Sequence, residues 1–586
     1  MEQYYTSERN VQIVIYLLKA NGIRKVVVSP GATNVTFVWS IQQDPFFEIY
    51  SSVDERSAAY IACGLAAESG EAVVLSCTGA TASRNYYPGL TEAFYRKLPI
   101  LAITSHQGTD RIGHLIAQNI DRRHLPSDIA RLSVDIPFVK DSRDEHSVEI
   151  EANKAMIELF RHGGGPVHIN LHTRYSKDFS VRELPPCRHI RYYNEHTYLP
   201  ELLEGHIGVF IGSHKRFTQE ETIALDAFCA EHGAVVFCDH TSGYYGKYRV
   251  QGAALFTQTY YFAKLPQISL LIHIGEVSGD YASLDKLQRS SIVWRVSPDG
   301  EMRDTYGKLA AVFEMPEHFF FANYTKGNVT KGGKLANIYQ KEVEKARTAI
   351  TDLDFCNIWL AQQISSHIPS GSKVHLGILN TLRTWNFFDF PEGVESFCNV
   401  GGFGIDGILS TLVGASLANT DKLHFCVLGD LSFFYDMNAL GNRHIGNNVR
   451  ILLVNNGKGT EFRMYNHPAN AFGENAEPYM AAAGHYGNKS RVLVKHYAES
   501  LGYEYLTASS KDEFMTIKER FLCPDITDRP IVLEVFTDSA VESAMLKKVN
   551  TALEIPTSAV LRNVVDGAKE LLGKEKVDKI KKILGK

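Results

Sequence analysis

The chain has little cysteine: nine residues in 586, scattered and mostly set inside apolar runs such as Ile61-Ala62-Cys63. Cysteines placed this way suggest no disulfide framework and show no zinc-finger spacing. They read as reduced, buried thiols of a cytoplasmic protein. An excess of either charge is also missing. The net charge is −5 and no basic stripe is present, so nothing electrostatic calls for nucleic acid. No apolar run approaches the roughly 18 residues of a membrane span. The opening Met1-Glu2-Gln3-Tyr4-Tyr5 lacks the charged-then-apolar pattern of a signal peptide. No Gly-rich dinucleotide fingerprint follows a strand, since Gly275-Glu276-Val277-Ser278-Gly279 is too loose, and this argues against a nicotinamide or flavin oxidoreductase. What remains is an ordinary globular composition, 44% hydrophobic and 22% charged. The chain is too long for one core, and about three domains are expected.

The most informative stretch is Val427-Leu428-Gly429-Asp430-Leu431-Ser432, read with Val454-Asn455-Asn456-Gly457. Two apolar runs, 425–428 and 451–454, have the look of buried parallel strands, ending abruptly at Gly-Asp and Asn-Asn. In open α/β sheets the carboxyl ends of the strands are where ligands bind. A carboxylate and a carboxamide oxygen are hard donors suited to Mg²⁺. A helix N-terminus near Ser432 would add N–H donors for phosphate. Taken alone, Gly-Asp after a strand is as well explained by an Asp capping the next helix.

Along the chain, residues 7–21 read as a helix with Ser7 as N-cap and Gly22 just past its end, followed by a strand at 25–29. Asp54-Glu55 opens a helix whose apolar positions Ala58, Ile61, Ala62, Leu65 and Ala66 repeat at helical spacing and are mostly small. Glu55 lies in its first turn, where a carboxylate also complements the helix dipole. Pro185-Pro186 and the irregular segment to about 205 read as a linker. A second α/β block has strands at 208–212, 235–239, 270–275 and 292–296. Residues 324–344 form a polar second linker leading into a helix. The third block holds a strand at 373–376, the Gly-rich loop 399–407 and a last strand at 531–536. The Lys-rich tail 559–586 is helical in pattern and reads as a solvated terminal helix.

These features resemble the thiamin diphosphate-dependent enzymes, whose metal–diphosphate motif runs from Gly-Asp to Asn-Asn; Leu431 stands where that motif usually has Gly. Residues 53–64, 72–81, 85–88, 92–93, 98–104 and 165–170 resemble the pyrimidine-binding domain of one branch, the menaquinone-pathway 2-succinyl-5-enolpyruvyl-6-hydroxy-3-cyclohexene-1-carboxylate synthases. The resemblance implies an α/β fold of three doubly wound domains, each with a mostly parallel central sheet. These are a pyrimidine-binding domain at 1–185, a central domain at 200–335 and a diphosphate-binding domain at 354–545, with a helical tail at 546–586. It implies thiamin diphosphate and Mg²⁺ as cofactors. Asp430, Asn456 and the backbone carbonyl near Lys458 become metal ligands. Thr78, Gly79, Gly402, Phe403, Ile405, Gly429, Leu431 and Ser432 become cofactor contacts, with Ile405 the bulky residue under the bent cofactor. Glu55 becomes the catalytic residue that hydrogen-bonds the aminopyrimidine N1′ and so promotes deprotonation of the thiazolium. A homodimer or homotetramer is implied, its site shared between subunits.

The substrate positions depart from that branch. Its Ser-Pro-Gly-Ser-Arg is Ser29-Pro30-Gly31-Ala32-Thr33 here; its Asn-Arg-Gly is Asn399-Val400-Gly401. The arginine after its Asn-Ser-Leu is Trp385, its Asp-Arg-Pro is His106-Gln107-Gly108, and of its Asn-Gln pair only Gln118 remains. Arginine–carboxylate contacts are strong and geometrically demanding, so losing them argues against 2-oxoglutarate plus isochorismate. The expectation is a carboligase acting on another 2-keto acid with a polar acceptor; a simple decarboxylase or a non-catalytic subunit of the same fold are the alternatives. His106, Gln107, Gln118, Arg383, Glu461 and Arg463 are the expected substrate contacts.

Overall fold

Runs rich in Val, Ile and Leu become parallel strands buried on both faces, as sheets covered by helices on each side require. In the computed structural model, residues 4–259, 261, 265–327, 331–484 and 490–553 are described. They form two units, one up to Thr197 together with Glu301–Val312, the other Tyr198–Gly300 together with Phe313 onward. Three mostly parallel sheets with interleaved helices make the protein α/β.

The first unit carries β1 (Lys25–Val28), β2 (Glu48–Ser51), β3 (Val73–Thr78), β4 (Ile100–His106), β5 (Leu132–Ile136) and β6 (Val167–His172), in the order β2-β1-β3-β4-β6-β5. All five pairings are parallel. Successive residues of a strand point to opposite faces. Val26, Val74, Leu101 and Ile103 therefore join one core with helix Arg9–Ala20. Val27, Val73, Leu75, Ile100 and Ala102 join another with helix Glu55–Ser69. That helix starts where Asp54 accepts the Ser57 N–H at 2.7 Å. Its small residues permit a close approach to helix Tyr87–Arg96: a Cβ on Gly89 would stand 2.4 Å from that of Ala59.

In the second unit β8 (Ile207–Ile211), β9 (Val235–Cys238), β10 (Arg249–Gln251), β11 (Leu270–Ile274) and β12 (Ile292–Ser297) run in the order β10-β9-β8-β11-β12. The third sheet holds β14 (Lys373–Leu376), β15 (Glu395–Phe397), β16 (His424–Gly429), β17 (Val449–Asn455), β18 (Glu504–Ala508) and β19 (Ile531–Phe536). Its order is β15-β14-β16-β17-β19-β18, again all parallel. Two further strands, β7 (Arg191–Asn194) and β13 (Leu309–Glu314), complete the set among the described residues.

Several expectations are corrected. Helix Arg9–Ala20 is not capped by Ser7, which is exposed; Glu8 takes the N-cap position without a side-chain cap bond. On helix Glu55–Ser69 the buried face is Ala58, Ala59, Ala62, Cys63 and Ala66, whereas Ile61 is 43% exposed and Leu65 half-buried. The small Ala and Cys face is the one that packs closely against Gly89, and the Cys63 thiol there donates to the Gly89 carbonyl at 3.3 Å. The segment after Pro185-Pro186 is not wholly irregular, since it contains β7. The helix after β16 begins at Asp430 itself rather than near Ser432. The expected tail helix at 559–586 lies outside the described residues. All nine cysteines are free, six buried and three half-buried. Among the described residues no helix is long and apolar enough to cross a membrane.

Candidate active site

β16 and β17 pair in register from His424↔Val449 to Gly429↔Val454, so both strands deliver their next residues to the same sheet edge. Asp430 opens helix Asp430–Asp436 there, and Asn456 follows β17 at a tight turn that Gly457 completes with φ +78°. Asp430, Asn456 and Lys458 line one cavity of about 130 Å³ with Gly429, Leu431 and Ser432. Ile405 of the Gly-rich loop lines it too, its carbonyl accepting a short hydrogen bond from Ser432 Oγ.

The polar groups in this cavity are not balanced. Asp430 is only 4% exposed, and its Oδ1 accepts the Leu431 N–H at 2.9 Å. Burial pushes its carboxyl up to about 7 against the lowering effect of the Leu431 and Gly457 N–H groups. Among the described residues, Asn456 Oδ1 and Thr460 Oγ1 are buried and find no hydrogen-bond partner. Orphaned buried oxygens of this kind are costly. The Lys458 ammonium does not compensate them, because it is committed to Glu477 Oε1 at 2.6 Å. A buried carboxylate and a carboxamide oxygen in one cavity form a donor set suited to a hard divalent ion.

Three of the expected substrate residues lie in this unit. Arg383 Nη1 and Glu461 Oε1 form an ion pair at 2.6 Å, and the Arg383 guanidinium stacks 4.9 Å over the Tyr281 ring. Glu461 lines the cavity; with its amide turned toward the carboxylate, Asn380 donates to Glu461 Oε2 at 2.6 Å. Arg463 instead donates to the Gly473 carbonyl, and it does not line the cavity. Trp385, which replaces a family arginine, is fully buried and donates to Asn357 Oδ1 at 3.1 Å. Gly402 is exposed and Phe403 half-buried with φ +55°, its ring 5.8 Å from that of Tyr281. Leu379 also lines the cavity without having been expected there, as do Asn380, Thr381 and Thr460, which the sequence offers as an Asn-Ser-Leu-like stretch and a polar position after Asn456 without a site role. Asn380 and Thr381 open a six-residue helix after β14, a strand–turn–helix signal like the one read at Gly429-Asp430.

The first unit gathers the others at the carboxyl edge of its sheet. Thr78 ends β3 and Gly79 follows it; Thr78 Oγ1 lies 2.5 Å from Thr33 Oγ1, and Thr33 donates to the Ser105 carbonyl at 2.7 Å. Glu55 is half-buried, and its Oε2 accepts from Asn85 Nδ2 at 3.3 Å, a polar neighbour rather than an apolar groove. His106 ends β4 and is 4% exposed, with Gln107 half-buried after it. Burial lowers the His106 pKa, and Asp135 offsets this only in part. Gln118 is exposed with φ +65° and is not gathered into this cluster.

Residues 9–125 match the family described as "Thiamine pyrophosphate enzyme, N-terminal TPP binding domain". Over 573 residues the chain is 30% identical to the 2-succinyl-5-enolpyruvyl-6-hydroxy-3-cyclohexene-1-carboxylate synthase of Phocaeicola vulgatus, covering 93% of this chain and 98% of the relative. It is 29% identical over 564 residues to the synthase of that name from Bacteroides thetaiotaomicron, with the same two coverages. The Porphyromonas gingivalis synthase is 27% identical over 585 residues, covering 93% of this chain and 97% of its own length. The chain is thus a thiamin diphosphate-dependent enzyme and belongs to the 2-succinyl-5-enolpyruvyl-6-hydroxy-3-cyclohexene-1-carboxylate synthase family.

Proposed function

We propose that the protein uses thiamin diphosphate with Mg²⁺ to decarboxylate a 2-keto acid and to transfer the remaining acyl unit to a polar acceptor, with substrates other than those of the menaquinone enzyme. The observation that carries the cofactor assignment is the pairing of a buried, uncompensated Asp430 carboxylate with the orphaned Asn456 Oδ1 in one cavity. A hard divalent cation held by these two oxygens would satisfy both, and would supply the positive charge that a diphosphate needs. When bound, the cofactor supplies the carbon nucleophile and the electron sink for loss of CO₂.

The residues of the chain then divide the work. Asp430, Asn456 and the Lys458 carbonyl hold the metal, and Gly429, Leu431 and Ser432 line the diphosphate. Ile405, Phe403 and Gly402 support the cofactor on one side; Thr78 and Gly79 flank its pyrimidine. Glu55 holds a proton against the pyrimidine N1′. The first, central and third sheets correspond on this reading to pyrimidine-binding, central and diphosphate-binding domains. Glu461 and Arg383 shape the acceptor side as a mixed-charge wall, which suits a polar acceptor better than two carboxylate-bearing substrates. His106, Gln107 and Gln118 are further substrate contacts on this reading, offered by the first unit, and Arg463 holds the Gly473 carbonyl beside the short 3-10 turn that carries Glu461. The enzyme works in the cytoplasm as a homodimer or homotetramer. Tyr60 and Ile61, apolar yet 49% and 43% exposed on the helix that starts at Glu55, support an interface there.

The test is cofactor binding followed by catalysis. Thiamin diphosphate should bind in the presence of Mg²⁺ with a circular-dichroism change, and a panel of 2-keto acids should reveal one that releases CO₂. Acceptor-free release with no coupled product would mark a simple decarboxylase. Binding without release from any donor would mark a non-catalytic subunit. Normal turnover of isochorismate with 2-oxoglutarate would overturn the claim of altered substrates.

A further inference from the structure

Beyond the cofactor residues, the first unit has a pocket of about 630 Å³ over the carboxyl ends of β4, β5 and β6. Its lining comes from the residues that follow each of these strands: Gln107 and Arg111 after β4, Phe138 and Lys140 after β5, and Thr173 and Arg174 after β6. This is the edge at which open parallel sheets bind ligands.

Three cations ring the pocket, and neutral partners hold two of them. The Arg174 guanidinium stacks 4.3 Å over the Phe138 ring. Arg111 Nη1 donates to Gln107 Oε1 at 2.6 Å. Among the described residues, no carboxylate lies within 4.0 Å of the charged nitrogens of Arg111, Lys140 or Arg174. Two acids, Asp110 and Asp144, line the pocket beside these three cations. Asp144 Oδ2 accepts the Lys140 backbone N–H at 3.0 Å, and Asp110 Oδ1 packs over Gly108, whose added Cβ would meet it at 2.4 Å. Guanidiniums fixed by a ring and a carboxamide keep their charge and fork geometry for something else.

The floor is polar as well. His172, 5% exposed, lines the pocket, and its Nε2 bonds Asp135 Oδ2 at 3.0 Å. The ionised Asp135 makes that nitrogen the donor and leaves Nδ1 as the acceptor position. His106 Nε2, Asp135 and His172 also offer three potential metal donors within 4.8 Å of one another. The hydrogen bonding argues against a metal there. The Gly108 N–H donates to His106 Nδ1 at 3.2 Å, which places the proton of a neutral imidazole on Nε2, the very atom a metal would need. His172 and Asp135 are thus a hydrogen-bonded pair at the floor, while His106 Nε2 stands 3.9 Å from Asp135 Oδ1 with no hydrogen-bond partner among the described residues. Thr173 ties the rim inward: its Oγ1 donates to the Thr33 carbonyl at 2.6 Å, and Thr33 in turn contacts Thr78.

We propose that this pocket recognises the anionic group, carboxylate or phosphate, of a small-molecule ligand. The test uses the full-length protein saturated with thiamin diphosphate and Mg²⁺, so that the diphosphate site is already filled. Inorganic phosphate and tricarballylate are titrated calorimetrically into the wild type, Arg174→Gln and Lys140→Gln. One of the two probes should bind the wild type, and each substitution should weaken it roughly tenfold to a hundredfold. Preference for phosphate would identify a phosphorylated ligand, and preference for tricarballylate a polycarboxylate. Circular dichroism confirms folding of each variant, and cofactor binding is read in the same samples. Loss of cofactor binding in the wild type would count against the catalytic reading alone. Failure of both probes to bind the wild type, or equal binding by folded variants, would overturn the pocket.

Discussion

The first and third sheets share one topology strand for strand: β2-β1-β3-β4-β6-β5 against β15-β14-β16-β17-β19-β18. Position for position, β3 matches β16 and β4 matches β17. The edge that carries Thr78-Gly79 and His106-Gln107 in one sheet therefore carries Gly429-Asp430 and Asn455-Asn456 in the other. The electrostatics at the two edges differ. The third sheet's edge buries a carboxylate beside a carboxamide oxygen that has no hydrogen-bond partner among the described residues. The first sheet presents Arg111, Lys140 and Arg174 around one pocket, with Glu55 only half-buried. The same backbone edge thus suits a metal in one place and an anion in the other. Function lies in the side chains at the strand ends, not in the fold that holds them.

The sharpest way to break this comparison is at Glu55. Glu55→Gln keeps the shape of the side chain and removes its proton-holding capacity. Turnover should fall about 10²- to 10⁴-fold, the usual span for a general acid–base group, with thermal stability unchanged. A variant of near-normal rate would remove the first sheet from the chemistry. Asp430→Asn attacks the other edge. Its cofactor affinity in Mg²⁺ should drop roughly tenfold to a hundredfold or more, since even outer partners of metal ligands cost that much. The metal-free protein should melt higher at pH 8, because an unpaired buried carboxylate has been neutralised. Lower apoprotein stability would show that Asp430 is structural. Mixing Glu55→Gln with Asp430→Ala under subunit exchange should restore part of the activity if the two edges meet across subunits. Mixtures that stay inactive despite exchange would place both edges of a site in one chain.

The smallest effect concerns the interior of the first unit. Burial drives the His168 pKa down to about 3 while its ring nitrogens contact Thr104 Oγ1 at 2.7 Å and Ser133 Oγ at 2.8 Å. The unfolded chain takes up a proton near the ordinary 6.5 and the folded chain does not, so stability is lost as pH falls below that value. At pH 5.5 the loss is about 1.4 kcal/mol. His168→Gln should be less stable at pH 7.5 yet lose less on acidification, in denaturant titrations at the two pH values. An unchanged pH slope would show that the proton is taken up elsewhere.

The sequence was legible where burial on both faces forced a continuous apolar run. The strands expected at 373–376 and 531–536 match the structure end to end, and those at 425–428 and 451–454 lie within β16 and β17. The edge strands β2, β10 and β15 escaped notice. They are three or four residues long, and β2 has only its first residue half-buried, so no periodicity marks them. The inward turn of helix Glu55–Ser69 was equally hidden, since a face of Ala and Cys beside Ile61 and Leu65 looks less hydrophobic than the stripe it displaces. At the site, Asp430 and Asn456 could be read because two strand ends announce them. The pairing of Arg383 with Glu461, 78 positions apart, depends on tertiary folding that spacing does not encode. The cationic pocket was unreadable for the same reason, its residues arriving from three separate loops.

The most direct test is a calorimetric titration of thiamin diphosphate into the wild type, Asp430→Asn and Glu55→Gln, each with and without Mg²⁺. The account predicts Mg²⁺-dependent binding to the wild type and to Glu55→Gln, and much weakened binding to Asp430→Asn. Binding that ignores Mg²⁺, or that Asp430→Asn leaves intact, would contradict it.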